Sequence, residues 1–461
     1  MKNYRLGALA GALAASLAAG GAQAEVMTLN TALSTAYESN PQLAAARAQL
    51  RATDEGVAQA NAGWRPTINA QGQYGFEREQ FSAIPTFGEP GGAINNRPLQ
   101  GQLTVTEPIF RGGKTYAEIG RAKALVRQGR AQLLDSEQQV LLAGVTAYMN
   151  VVRDESTVKL DQNNVAVLQK QLDATQEQFK VGELTKTDVA QSQARLSGAQ
   201  SQLTIARGRL AASRAVFQKV VGAPAASLDD NPTYPKLPTT VDEAVDIGTK
   251  FSPVIVSARE SEKAADYAVD DAIGSLAPQI DIQGQYQYQK SPNGAAFGQP
   301  GNAHVTTVFG QVTVPIYQGG AEEASVRQAK ELHSQTQLLI ANADRQVRSD
   351  VQSAWDTYAS AQASIESDKV QVSADETALE GVRREQEVGA RTILDVLNAQ
   401  QELLNAQVAV VSAQRDAFVA AYQLLQAAGQ LTARYLALKV DLYNPKEHYN
   451  DDANRWIGFG D

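Results

Sequence analysis

Two stretches of the chain alternate between polar and apolar side chains. Apolar or small residues occupy every second position: Ile68, Ala70, Gly72, Tyr74 and Phe76 in the first stretch, and Ile280, Ile282, Tyr286 and Tyr288 in the second. A period of two places successive side chains on opposite faces of a strand. The pattern therefore predicts strands over 67–77 and 279–289, each with one apolar and one wet face. Their predicted partner strands cover 100–110 and 307–317.

Two long stretches without proline, 114–179 and 321–386, are predicted to be continuous helices. At about 1.5 Å per residue, each helix would be roughly 100 Å long. Helices of this length need lateral packing, and their apolar residues recur at every seventh position, as in coiled coils. The repeat consists of Val158, Val165, Leu172 and Phe179 in the first helix, and of Ile365, Val372 and Leu379 in the second. It continues from Val189 to Phe217 and from Val396 to Leu424, so two helical hairpins are predicted.

The strands and hairpins are two copies of one pattern. Several matched pairs are 207 positions apart: Pro108 and Pro315, Gly113 and Gly320, Gly182 and Gly389, Asp188 and Asp395, and Gly222 and Gly429. Many matches at one offset indicate an internal duplication. We therefore expect one fold built from two similar halves rather than separate domains.

The duplication suggests the boundaries of the repeats. The first repeat is assigned to 25–222 and the second to 241–430, with a linker at 223–240 and a C-terminal tail at 431–461. Each repeat is predicted to contain a helix, then a β-hairpin, then a long helical hairpin. In the first repeat the β-hairpin is predicted at 67–110 and the helical hairpin at 114–222. In the second repeat the β-hairpin is predicted at 279–317 and the helical hairpin at 321–430. The tail has no counterpart in the first half, and we expect it to lie against the helical wall.

Residues 1–24 have the features of a secretory signal peptide. Lys2 and Arg5 precede an apolar run from Leu6 to Gly21, and small residues lead to a cleavage site after Ala24. Its removal would take away two positive charges and change the formal net charge from −9 to −11. This negative balance argues against nucleic acid as a partner. The chain has no cysteine, so neither a disulfide nor a lipid attached through cysteine is possible.

The alternating strands favour a membrane barrel over a soluble sheet. Their polar face carries mainly Gln, Asn and Thr, and aromatic residues lie near the strand ends. Together with an export signal, this pattern is typical of a wall with lipid outside and water inside. Four strands cannot close a barrel, and open edges are not tolerated in lipid. Several copies must therefore share one barrel, and the pattern alone allows both two copies with eight strands and three copies with twelve.

With these elements in place, the chain resembles the TolC family of outer membrane efflux and secretion ducts. The resemblance covers about residues 28–430 and rests on motifs that occur in the same order in both copies. These motifs are the Asn40-Pro41 break, the strand-to-helix junctions that end at Gly113 and Gly320, and the tips that contain Val181, Gly182, Thr187 and Asp188 or Val388, Gly389, Arg391 and Asp395.

The resemblance implies an α+β membrane protein. In this family three chains form a homotrimer, their twelve strands make one transmembrane barrel in the outer membrane lipid, and their helices form a hollow periplasmic tunnel. The tip turns at Val181, Gly182, Val388 and Gly389 are then expected to dock a periplasmic adaptor protein. An inner-membrane transporter of the ABC or RND type completes the machine. Members of the family have no chemistry of their own, so no enzyme activity and no cofactor are expected.

The resemblance also implies a gate at the periplasmic tips. Arg391 matches the basic gate residue, and Thr187 and Asp188 match its acceptors on the neighbouring hairpin. Asp395 matches an acidic ring, which in a trimer would place three carboxylates around a narrow bore and favour cations. The alternative interpretation is that Asp188 and Asp395 cap helices and that Arg391 is a solvated charge.

Two positions depart from the family pattern of the gate. Gln386 stands where an aromatic gate residue is expected, and Asn398 stands where a second acidic ring is expected. We therefore expect a looser closed state and a weaker block by cations than the family pattern implies.

The expected function is that of an exit duct for type I protein secretion, multidrug efflux or both. The rival interpretation is a periplasmic coiled-coil adaptor, which would have one hairpin within a split soluble domain. An enzyme is a third possibility, but motifs such as G-x-S-x-G or H-E-x-x-H do not occur convincingly. The histidines His304, His333 and His448 lie far apart and show no metal-ligand spacing, so no metal is expected.

Overall fold

The computed structural model describes residues 26–80, 83–84, 89–90, 92–292 and 301–459. The predicted signal peptide at 1–24 lies outside the described residues, as do parts of the two loops between the paired strands.

Long helices dominate the described part of the chain. The helices are α1 (Leu29–Ser39), α2 (Pro41–Asn61), α3 (Lys114–Lys180), α4 (Lys186–Val221), α5 (Val241–Phe251), α6 (Pro253–Gly274), α7 (Ala321–Glu387), α8 (Ile393–Ala427) and α9 (Glu447–Asp452), with a 3₁₀ turn at Ala62–Trp64. The strands are β1 (Thr67–Tyr74), β2 (Glu77–Gln80), β3 (Ala83–Ile84), β4 (Glu89–Pro90), β5 (Ala93–Asn96), β6 (Leu99–Arg111), β7 (Gln279–Lys290) and β8 (Asn302–Thr313). None of the helices within these residues is both long and apolar enough to cross a membrane.

Proline breaks the first helical segment of each repeat, as predicted. Pro41 begins α2, and Asn40 caps it by accepting a hydrogen bond of 2.9 Å from the Gln42 N–H. The Asn40 side chain also donates to the carbonyl of Val220, 3.0 Å away, and so joins the cap to the end of α4. Pro253 begins α6 in the same way. The break lets each repeat place a short helix and a longer one at an angle, because the residue before proline is held out of helical geometry.

The four main strands form one antiparallel sheet in the order β1-β6-β7-β8. The register joins apolar residues to apolar ones, as in the pairs Ile68 with Val105 and Leu103 with Tyr286. It likewise joins Gln to Gln: Gln71 pairs with Gln102, which pairs with Gln287. The predicted division into an apolar and a polar face is therefore confirmed. The apolar face is open in the single chain, where Ile68 is 67% and Val308 is 73% exposed.

The last strand differs from its prediction. The sequence predicts a strand over 307–317, but β8 begins at Asn302 and ends at Thr313. Thr313 pairs with Gln279, which is the first residue of β7, so the residues beyond Thr313 have no partner strand to extend along. The alternation of apolar and polar residues could not predict where β8 ends, because it continues beyond the residue that pairs with the start of β7.

The helices form a wall with two parts. In the part next to the sheet, α2, α3, α6 and α7 pack side by side; in the other part α3 pairs with α4 and α7 pairs with α8. The predicted seven-residue repeat is buried at most positions, including Val158, Leu172, Ile365 and Leu379. Phe179 is 44% exposed, because α3 ends one residue later.

The largest apolar core lies around the middle of α3, where α1, α4, α8 and the segment after α8 meet. Tyr148 and Phe217 are fully buried there, with ring centroids 6.2 Å apart. The Tyr148 hydroxyl donates to the carbonyls of Met27 and Asp229, each at 2.9 Å. This core therefore fixes both the start of the first repeat and the linker to the long helices.

The C-terminal segment packs on the helical wall. Leu431 is buried in the main core, and the Ala433 N–H donates to the Glu137 carboxylate at 2.8 Å. Further along, the Tyr443 N–H donates to the Tyr37 hydroxyl at 3.1 Å. The short helix α9 then lies on α2. The segment thus follows the wall from the middle of α3 towards the sheet.

Candidate functional site at the helical tips

The two hairpin tips have the same backbone geometry. Gly182 and Gly389 follow the ends of α3 and α7 with φ angles of +84° and +80°. L-residues other than glycine rarely adopt this left-handed conformation, so glycine allows each helix to end in a tight turn. The preceding residues Val181 and Val388 are 72% and 80% exposed. Each tip therefore presents an exposed valine side chain on a tight turn.

The next helix of each hairpin starts with a capping box. In the first tip the Asp188 N–H donates to the Thr185 hydroxyl at 3.3 Å, and the Thr185 N–H donates to the Asp188 carboxylate at 2.9 Å. Thr392 and Asp395 repeat the two bonds in the second tip at the same distances. These reciprocal bonds satisfy backbone donors that a helix start otherwise leaves open.

The structure shows which residue caps the helix at the first tip. Thr187 and Asp188 lie in the first turn of α4, where Thr187 is exposed, and the cap itself is Thr185. Thr185 is favoured because it stands three residues before Asp188, the spacing that a capping box requires. Asp188 and Asp395 are thus helix-capping residues within the single chain, as the alternative interpretation proposes.

Capping keeps Asp395 negatively charged. The N–H and hydroxyl groups of Thr392, with a smaller contribution from Arg391, hold the pKa of the Asp395 carboxyl below its usual value. Hydrogen bonds to the charged form of a carboxyl stabilise that form. Asp395 therefore presents a carboxylate at the tip at neutral pH.

Arg391 lies at the same tip and has a partner on its own hairpin. Its Nε donates to the Glu385 carboxylate at 3.0 Å, and both side chains are about half exposed. Among the residues that the structure describes, no ion pair joins Arg391 to Asp188. One chain thus brings Arg391 and Asp395 together and leaves Thr187 and Asp188 on the other hairpin.

A bond between the two hairpins was missing from the sequence prediction. The Arg195 Nη2 on α4 donates to the Asn398 Oδ1 on α8 at 2.6 Å. Asn398 is the position where a second acidic ring was expected, and in this chain it accepts from an arginine instead. Arg195 has no counterpart at the matched position of the other repeat, where Glu402 stands, so the duplication gave no signal for it.

An apolar cluster near this bond also joins the hairpins. Leu168, Leu172 and Leu196 of the first hairpin pack with Ile393 and Leu397 of the second. Ile393 and Leu397 are four residues apart and lie beside the seven-residue series through Val396. This second apolar stripe on α8 is a sequence signal that a second face of the helix is covered, but it does not identify the partner.

One family covers most of the chain. The sequence profile described as "Outer membrane efflux protein" matches residues 32–223 and 250–430, which lie within the two repeats to within one residue at the end of the first. A wall of long helical hairpins attached to a four-stranded antiparallel sheet defines a membrane-anchored helical duct. The chain belongs to the outer membrane efflux protein family.

Individual relatives agree with this assignment. The outer membrane efflux protein BepC of Brucella suis is 34% identical over 433 residues, which cover 94% of this chain and 91% of BepC. The outer membrane protein TolC of Vibrio cholerae is 24% identical over 402 residues, covering 86% and 89%. The alkaline protease secretion protein AprF of Pseudomonas aeruginosa is 26% identical over 349 residues, covering 73% and 70%.

Solved structures share the fold. The outer membrane protein VceC of Vibrio cholerae superposes with a TM-score of 0.72 at 20% identity, covering 87% of this chain and 96% of VceC. The predicted resemblance to TolC-type ducts is confirmed. The protein is an export duct of the outer membrane and not an enzyme, which sets aside the adaptor interpretation.

Proposed function

We propose that three copies of this chain form the outer membrane exit duct of a tripartite export machine. The observation that carries this proposal is the sheet, which has two free edges and an open apolar face. Within the described strands, β1 pairs only with β6 and β8 pairs only with β7. Unpaired backbone groups are costly in lipid, so a sheet of this kind needs neighbouring copies.

The geometry of the sheet suits closure by repetition. Its strands are all antiparallel and even in number, so β8 of one copy runs antiparallel to β1 of the next. Three copies give twelve strands, the number that the resemblance to TolC-type ducts implies. The apolar row through Ile68 and Val308 would then face lipid, and the row of glutamines through Gln102 would face water.

Cross-linking between strand edges tests this assembly. The natural chain has no cysteine, so a cysteine at Asn69 in β1 can be combined in turn with one at each position of β8. We expect covalent trimers at β8 positions that alternate with a period of two. As a control, cysteine at Thr104 in β6 should form no link between chains, because β6 is covered by β1 and β7. Covalent dimers as the final product, or no links at any position, would contradict the trimer.

The tips are proposed to form the gate. In a trimer the Asp395 carboxylates would form a ring at the bore, and Arg391 would bind Thr187 and Asp188 of a neighbouring hairpin. Arg391 is half exposed and held by a single ion pair to Glu385, so it can exchange partners at small cost. Opening would separate the hairpins and break these contacts.

The tip turns are also proposed to dock the periplasmic adaptor. Val181 and Val388 are among the most exposed large apolar residues of the helical part, and they stand on turns fixed by Gly182 and Gly389. Exposed apolar side chains on a rigid turn suit insertion into a shallow groove of a partner. An inner-membrane transporter of the ABC or RND type would supply the energy that the duct lacks.

The cargo is proposed to be secreted protein, small toxic compounds or both. BepC is named for efflux, and AprF is named for alkaline protease secretion. We propose type I protein secretion and multidrug efflux as the uses of this duct. Deletion of the gene distinguishes the two uses. Loss of secreted proteins would indicate type I secretion, and increased drug susceptibility would indicate efflux. A strain that retains both secretion and drug resistance would contradict the proposal.

A further inference from the structure

Three side chains with metal-binding atoms meet where the C-terminal helix α9 lies on α2. The Nε2 of His448 is 3.2 Å from the Oδ2 of Asp452 and 3.7 Å from the Oε1 of Glu55. One ligand atom from each of the three residues lies within 4.8 Å of the other two. His448 and Asp452 are four residues apart and therefore share one face of α9. Glu55 comes from α2, so the cluster joins two distant parts of the chain.

The distances between these atoms are longer than direct hydrogen bonds and are compatible with a metal ion between them. A hydrogen bond between an imidazolium and a carboxylate measures about 2.7–2.9 Å, which is shorter than either contact of Nε2. Zinc binds nitrogen and oxygen at about 2.0–2.2 Å, and tetrahedral ligands at that radius lie about 3.3 Å from one another. The contacts of 3.2 and 3.7 Å therefore fit ligands that surround an ion better than ligands that bond directly.

Asp54 gives an independent sign of a bound cation. Its side chain is 1% exposed, and neither carboxylate oxygen has a hydrogen-bond partner among the described residues. Its Oδ2 lies 3.6 Å from the Nδ1 of His448. A buried carboxylate without hydrogen bonds is costly. The Asp54 carboxylate faces the Nδ1 of His448 without bonding to it, on the side of the ring where second carboxylates accompany metal-binding histidines.

The charged groups around the cluster favour an additional cation. Asp54, Glu55 and Asp452 contribute three carboxyl groups, and burial raises the pKa of the Asp54 carboxyl. Arg130 acts electrostatically on Asp54, and the Arg455 Nε forms an ion pair with the Asp452 Oδ1 at 2.9 Å. The second oxygen of Asp452, Oδ2, remains directed at His448. The three carboxyl groups thus outnumber the two guanidinium groups beside the imidazole.

We infer that Glu55, His448 and Asp452 bind a divalent transition-metal ion of the zinc class, with Asp54 holding the His448 ring. One nitrogen and two carboxylate ligands suit this class, and water would complete the coordination. The ion would fasten the C-terminal segment to the first repeat. The site lies on the helical wall, away from the tips, and it is independent of the proposed gate.

Zinc titration of the purified, tag-free duct in detergent tests the site. After removal of metals by a chelator, we expect one zinc ion per chain to bind. His448→Gln should weaken binding at least about 100-fold, and Asp54→Asn should weaken it about 10- to 100-fold, as loss of such a partner typically does. His333→Gln is the matched control, because His333 also contacts a carboxylate, Glu262 at 2.8 Å, but only one. It should leave zinc binding unchanged.

Hydrogen exchange of residues 447–459 supplies a second readout. Zinc should slow exchange there in the natural protein and in His333→Gln, and should have no effect in His448→Gln. Circular dichroism of each variant shows whether it has folded, and Glu55→Gln replaces any variant that has not. Equal zinc affinity in the natural protein and His448→Gln would overturn the inference. The same loss in His333→Gln would also overturn it.

Discussion

Arg195 and Asn398 join the two helical hairpins of one chain through a hydrogen bond of 2.6 Å between α4 and α8. The bond lies close to the tips, because Asn398 follows the capping residue Asp395 by one turn. Leu196 and Leu397, the neighbours of the two bonded residues, pack together in the apolar cluster beside it. A movement that separates the hairpins must break both the bond and part of the cluster. The bond and the cluster are therefore expected to stabilise the closed state of the proposed gate.

Removal of this bond is expected to loosen the tip. In Asn398→Ala the guanidinium of Arg195 loses its partner, and an exposed bond of this kind contributes about 0.5–1.5 kcal/mol. The population of the open tip should rise by a factor of about two to ten. Single-channel recordings in planar bilayers would show this as higher mean conductance. Gln401→Ala is the control, because Gln401 bonds only to Asn405 within α8. Equal conductance of Asn398→Ala and the natural duct would refute the expectation.

Arg391→Ser is expected to raise single-channel conductance and the leakage of antibiotics into cells. The reason is that Arg391 is the basic residue proposed to hold neighbouring hairpins together. Glu385→Gln is an informative companion, because it removes the only ion-pair partner that Arg391 has within the described chain. If the gate depends on contacts between hairpins, Glu385→Gln should leave conductance low or reduce it. Unchanged conductance in Arg391→Ser rejects the gate.

The ionisation of Asp395 should make the duct select cations down to acidic pH. Its pKa is depressed in the folded chain, chiefly by the hydrogen bonds from Thr392. The charged form is therefore present above the ordinary aspartate pKa and is lost only as the pH falls through the depressed value. Reversal potentials in a salt gradient should show constant cation preference from about pH 8 to pH 5 and a decline below about pH 4.

Asp395→Asn should lower this cation preference at every pH. Asp416→Asn serves as a control, since Asp416 lies on the same helix and pairs with Arg415 at 2.7 Å. A decline in selectivity already at pH 6 in the natural duct would mean that another group controls it.

Much of the fold could be predicted because local patterns govern it. Proline at positions 41 and 253 breaks helices in any context, and a strict period of two or seven defines which face of an element is buried. The periodicity gives no information on which faces of different hairpins meet. The contact of Leu196 with Leu397 therefore required the structure, even though each residue was visible as an apolar position.

The contact between His448 and Glu55 was likewise not predicted from the sequence, because it joins distant parts of the chain. His448 and Glu55 are nearly 400 positions apart, so no ligand spacing could reveal their contact, and the sequence favoured an ordinary surface histidine. Thr185 is a different case, since its spacing to Asp188 is a complete local signal.

Gly112 and Gly319 provide a test of how closely the two repeats pack. Both glycines precede a long helix and have left-handed φ angles, +64° and +69°. A Cβ on Gly112 would collide with the carbonyl oxygen of Gly274 and lie 2.7 Å from the Cβ of Ala277, whereas a Cβ on Gly319 would meet nothing within 4 Å. Alanine should therefore cost about 1 kcal/mol in backbone strain at both positions.

Gly112→Ala should lower the free energy of unfolding by roughly a further 1–3 kcal/mol, which is the cost of overpacking, because α3 must move away from the end of α6. Thermal unfolding of the two purified variants in detergent, at one heating rate, measures the difference. We expect the midpoint of Gly112→Ala to fall clearly below that of Gly319→Ala. Equal midpoints would show that the contact between Gly112 and Gly274 can relax freely. The two repeats would then be held together mainly by the sheet and by the core around Tyr148.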